Sequence, residues 1–120
     1  MSDKEGHLQK AAHNLSYAKT FNLNQTKYLD WAAVAIFYTA MHYVDAFLAT
    51  EGYREFENHG ERNKKVEELL DPISHFYLPL YEAARNARYK PYYKLDSDRL
   101  IRFEVTNLAQ IEYYILTLLK

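Results

Sequence analysis

An all-α fold is what this sequence predicts: an antiparallel, up-and-down bundle of four longer helices plus one short helix, in a single domain over residues 1–120. Three observations lead there. The chain has only three glycines and three prolines in 120 residues, too few turn formers for a fold of many short strands. Apolar residues recur every three or four positions through most of its length. The polar segments between these runs are short, which favours antiparallel neighbours. The length suits one domain that buries roughly two-thirds of its unfolded surface.

The elements follow in order. Ser2 and Glu5 have capping-box spacing, and Leu8, Ala11, Ala12, Leu15 and Ala18 behind them place a first helix at about residues 3–20. Residues 22–26 are polar and suit a turn. From Lys27 to Thr50 there is neither Gly nor Pro. Trp31, Val34, Tyr38, Met41 and Asp45 mark one face there, and Ala33, Ile36, Phe37, Ala40, Val44 and Phe47 the other. A helix apolar nearly all round belongs at the centre of the bundle. Gly52 stops it. Residues 51–58 form an acidic, aromatic loop, after which Asn58 and Glu61 read as a cap and its N3 partner. Val66, Leu69 and Leu70 face the third helix inward, and Asp71-Pro72 ends it. Pro79 is a poor helix-interior residue, so residues 72–78 are expected as a short turn or kinked piece and 79–89 as the main helix, broken by Pro91. Asp96 or Ser97 caps the last helix, with Ile101, Val105, Leu108, Ile111, Ile115 and Leu119 as its core stripe.

Composition removes several function classes. With no cysteine there is no disulfide scaffold, Cys-ligated zinc, iron–sulfur cluster or thiol nucleophile. Gly-x-Ser-x-Gly and phosphate-cradling glycine loops are missing too. No run of eighteen uncharged apolar residues occurs, so no transmembrane helix and no membrane partner are expected. The charged start Met1-Ser2-Asp3-Lys4-Glu5 lacks the apolar core of a signal peptide, which makes the cytoplasm the expected compartment. Net charge is −1, yet it is unevenly spread. Residues 85–102 carry six basic and two acidic side chains, whereas residues 51–71 carry seven acidic and four basic ones.

Two constellations carry chemistry. The five histidines show neither His-x3-His nor Glu-x2-His spacing, so neither a metal nor a cofactor is expected. His42 and Asp45, three apart, could share a ligand, but a buried hydrogen-bonded pair is the favoured reading. The other constellation is the run from Tyr81 to Tyr93. Arg85 and Arg88 share a helix face, followed by Tyr89, Lys90, Tyr92 and Tyr93. Guanidinium groups fork onto phosphates and tyrosine rings stack on bases. The plainer alternative has Arg85 and Arg88 paired with Glu82 or the acidic 51–71 segment, with the tyrosines packing the helix end.

The stretch from Trp31 to Tyr43, where small residues alternate with aromatics, resembles the second helix of HEPN domains. His59 resembles the histidine that often opens their third helix, and Arg85-Asn86 with Ala87-Arg88-Tyr89 resembles the polar end of a later one. The likeness runs from about residue 8 to 119. It implies an all-α bundle that forms a homodimer. Many such domains are metal-independent ribonucleases or toxins of toxin–antitoxin pairs, with an Arg, a polar residue, and a His separated from the Arg by four to six residues. Here Arg85 and Asn86 match, but the histidine position falls on Lys90, Pro91 or Tyr92. An unperturbed lysine keeps its proton to about pH 10 and is a poor general base. Arg54 and His59 have the motif spacing, although they lie in the loop after the central helix. Ala87-Arg88-Tyr89 is closer to a second branch, whose members resemble substrate-binding partners of nucleotidyltransferases.

The leading expectation is therefore a non-catalytic module that binds a nucleotide, RNA or a partner protein through Arg85, Arg88, Tyr89, Lys90, Tyr92 and Tyr93. One alternative is a metal-independent endoribonuclease in which Arg85 and Asn86 borrow His59, His42 or a histidine of a second copy. Another is a purely structural dimer, in which the basic 85–102 segment meets a neighbour's acidic one.

Overall fold

A computed structural model describes residues 3–120. The elements are α1 (Asp3–Ala18), α2 (Leu29–Thr50), α3 (His59–Leu69), α4 (Asp71–Tyr89), α5 (Ser97–Arg102), a π-helical turn (Phe103–Leu108) and α6 (Ala109–Leu118). No strand occurs among the described residues. Backbone angles at Arg102, Phe103, Leu108 and Ala109 are all right-handed helical. The last three elements are thus one long helix, and the predicted all-α bundle is present with α3 as its short member. Ser2, expected as the first cap, lies outside the described residues.

α2 is the axis of the molecule. Ile36, Phe37, Ala40, Val44, Ala46 and Leu48 are essentially sealed from solvent, because α1, α4 and α6 all pack against this helix. Each large side chain so buried stabilises the fold by about 1.5–3 kcal/mol. By length and composition α2 could cross a membrane, but 72% of its most apolar window is buried inside the bundle, the setting of a core helix. α1 and α4 run antiparallel to α2, while the C-terminal helix runs parallel to it, with Leu100 clustered with Ala32 and Ala33 and Glu112 at Tyr43. His7 meets His42 at one end of the α1–α2 pair, while Tyr17 and Phe21 share a surface pocket with Tyr28 and Trp31 at the other. α6 is tied on by Tyr43, whose hydroxyl donates to Glu112 Oε2 at 3.0 Å.

Caps fall where the residue types demand. Asn58 Oδ1 accepts from the Glu61 N–H at 2.9 Å, and the Glu61 carboxylate reaches back to the Glu57 N–H at 2.9 Å. Asp96 accepts from the Asp98 N–H to open α5. Gly52, with φ at +92°, takes the left-handed position past α2 that side chains resist.

Two expectations are corrected. Residues 71–89 form one helix with Pro79 inside it, rather than a turn followed by a helix. A proline there costs roughly 3 kcal/mol. Ile73, Tyr77, Leu80, Ala83 and Ala84 offset it by making one continuous buried face. Beside the proline, Asn107 Nδ2 donates to the Phe76 carbonyl at 3.0 Å. The second correction is Val105, placed in the core stripe by helical spacing but 63% exposed. Phe103 takes a buried position instead, and Leu108, five residues on, is buried as expected. The π turn absorbs one extra residue and moves Val105 outward.

Candidate functional site

The C-terminal turn of α4 and the loop after it present the residues singled out by sequence. Arg85, Tyr89, Lys90 and Tyr92 are exposed, Tyr89 at 72% and Tyr92 at 93%. Among the described residues Arg85, Lys90 and Lys94 make no ion pair. The plainer reading has Arg85 and Arg88 meet acidic partners, and neither does so among the described residues.

Arg88 and Tyr93 have a different part. Arg88 donates to the Tyr38 hydroxyl at 2.7 Å and to the Ala84 carbonyl at 3.3 Å. Its guanidinium carbon lies 5.6 Å from the Tyr38 ring centre and 5.3 Å from that of Tyr89. It thus ties α4 to α2 and holds the base of the Tyr89 ring by a cation–π contact. Tyr93 accepts from Arg99 at 2.8 Å, which fixes the loop to α5. The half-buried Asn86 closes the helix through its carbonyl, which accepts from the Lys90 N–H.

A groove of about 480 Å³ runs beside this end, carrying Lys27, Lys90 and Lys94 with Pro91 and Tyr93, and Asp30 as its acid. Trp31, 55% exposed, shares an adjoining pocket with Val34, Ala87 and Arg88. Tyr17, Phe21 and Tyr28 continue the aromatic surface from Trp31. Sequence periodicity put Trp31 on a packed face of α2 and passed over Lys27. Lys27 lies two residues before α2 and Trp31 in its first turn, and both are exposed. The only available signal was a tryptophan at a helix start beside a lysine and a tyrosine.

A second polar region lies between α1, α2 and α3. The expected His42–Asp45 hydrogen bond is replaced by two other pairings. His42 Nδ1 faces His7 Nδ1 at 3.0 Å. Asp45, buried, accepts from Arg62 Nε at 2.8 Å. Arg62 also donates to His59 Nδ1 at 3.0 Å. Because arginine only donates, Nδ1 of His59 is the acceptor and a neutral ring carries its hydrogen on Nε2. Burial, reinforced by Arg62 and Arg88, holds His59 below its ordinary pKa. Burial and the facing His7 do the same for His42. Behind them Tyr77 is fully buried, and burial raises its pKa.

For the ribonuclease alternative, this geometry commits His42 to His7 and His59 to Arg62, and neither hydrogen-bonds Arg85. Arg54, the other half of the motif-like spacing with His59, is exposed and paired with Asp3 at 3.2 Å. No protein family, curated protein or solved structure matches this chain.

Proposed function

We propose that the chain is a non-catalytic binding module for single-stranded RNA or its nucleotides, received at the end of the bundle where α4 stops. One observation carries the reading: two tyrosine rings stand open to solvent among cations, Arg85, Lys90 and Lys94, that make no ion pair among the described residues. Exposed rings accept bases by stacking, and free cations accept phosphates. Trp31 and the lysines of the neighbouring groove extend the same chemistry. On this reading the chain is HEPN-like, cytoplasmic and homodimeric, and suits a role beside a nucleotidyltransferase. The absent motif histidine supports binding over cleavage.

Fluorescence anisotropy with a labelled single-stranded RNA tests this. Binding is expected to weaken with salt at a log–log slope of about −2, as for roughly three neutralised phosphates. Arg85→Ala is expected to reduce that slope by about 0.7. Salt-independent binding, or none at low salt, contradicts the reading. Metal-free cleavage of the probe that Arg85→Ala abolishes would favour the ribonuclease instead.

A further inference from the structure

His7 is 35 residues from His42 in sequence, so no spacing rule connects them. The antiparallel packing of α1 on α2 does. The two Nδ1 atoms face each other at 3.0 Å, with ring centres 5.3 Å apart and planes inclined by 31°. Asp45 stands one turn beyond His42 on the same face of α2. One donor atom from each of the three lies within 4.8 Å of the other two. We propose that His7, His42 and Asp45 form a binding site for a divalent transition cation of the zinc class, with water as the fourth ligand. This site is separate from the RNA surface and does not depend on it.

The geometry is close to what such an ion needs. Tetrahedral zinc with bonds of about 2.0–2.1 Å spaces its donor atoms about 3.3 Å apart. The imidazole pair has only to open by a few tenths of an ångström. The carboxylate has to close by roughly 1.5 Å, within reach of a side-chain rotation about two bonds. At present one ring carries a hydrogen on Nδ1 and donates it to the other. Coordination by both Nδ1 atoms moves that hydrogen to Nε2 of the same ring, with no change in charge.

The surroundings are those of a ligand set rather than a chance surface cluster. Asp45 is buried, and both histidines are half-buried, unlike the exposed His13 and His75. Arg62 holds one carboxylate oxygen of Asp45 at 2.8 Å, leaving the second to ligate, and such outer hydrogen bonds orient metal ligands. The partial exposure of His7 leaves an approach for the ion and room for its water. Arg62 and the nearby Lys10 oppose additional positive charge, so the affinity expected is below that of a four-ligand structural zinc site. The effect on the molecule is a clasp that fastens α1 to the axis of the bundle.

Co²⁺ serves as the probe, because a tetrahedral Co²⁺ ion has strong visible absorption, and Zn²⁺ is then used to displace it. The full chain is expected to bind one equivalent with tetrahedral bands. Saturating Zn²⁺ should raise the unfolding temperature by about 5 °C or more. His7→Ala and His42→Ala should each weaken binding at least tenfold, whereas His13→Ala and His75→Ala should leave it unchanged. Far-UV circular dichroism checks that the variants fold, and His7→Ala, at a half-exposed position, is the decisive one. Absence of the bands, or binding equally strong in His7→Ala, overturns the proposal.

Discussion

Asp45 and Arg62 show how much hangs on a single buried contact. Their side chains are 9% and 13% exposed, at an N–O distance of 2.8 Å. Removing one partner leaves the other charge stranded in a region of low dielectric. Arg62→Met is therefore expected to cost about 3 kcal/mol, while Arg62→Met combined with Asp45→Leu should cost less than the single change. Urea denaturation of the three proteins measures both. A double variant less stable than Arg62→Met would contradict this account of the pair. His59, bonded to the same arginine, predicts the pH response. Its folded pKa lies below the ordinary 6.5, through burial first and then Arg62 and Arg88, with Asp45 opposing. The unfolded chain thus takes up the proton before the folded one does. Stability is complete above pH 6.5 and falls as pH drops below it. Thermal unfolding between pH 7.5 and pH 5 should show this decline, and His59→Gln should flatten it. His42 titrates in the same direction, so the difference between the two profiles isolates His59.

Helix ends were legible wherever a local side chain caps them. Asn58 with Glu61, Asp96 and Gly52 could be read from residue type alone, because each satisfies or frees backbone within three residues of itself. Asn58→Ala is expected to cost about 1 kcal/mol, with α3 rather than the whole bundle fraying first in hydrogen exchange. Uniform loss of protection would contradict that placement. Two features of element scale were not legible. Pro79 argues for a break when read locally, and only the buried face through Ile73, Tyr77 and Leu80 shows that packing outweighs it. The π turn leaves no mark in a 3.6-residue pattern either. Phe103 and Leu108 are both buried at a spacing of five, which becomes meaningful once the neighbours are in place.

The whole molecule places the proposed binding residues at one end and exposed apolar residues of the C-terminal helix on another side. Val105, Tyr113 and Leu116 are exposed along the C-terminal helix, the surface that a second copy would cover in the homodimer proposed above. Leu116→Glu is expected to yield a monomer in sedimentation equilibrium if the wild type is a dimer through this face. A dimer that survives the change moves the interface elsewhere. The proposed binding surface was half readable. Arg85, Tyr89, Lys90 and Tyr92 cluster in sequence, so their exposure at a helix end follows from Pro91 and from the polar residues around them. Trp31 and Lys27 join them only through the packing of α2 against α4. Trp31 is the sole tryptophan of the chain, and its place beside Arg88 makes it an intrinsic reporter of the site. The most direct measurement is therefore a titration of the unlabelled protein with a single-stranded RNA, followed by Trp31 fluorescence. A saturable, salt-sensitive change is predicted, with affinity reduced about 5- to 150-fold for each of Tyr89→Ala and Tyr92→Ala, the range expected for losing one stacked base. Fluorescence that stays flat at low salt, or an affinity indifferent to both substitutions, would contradict it.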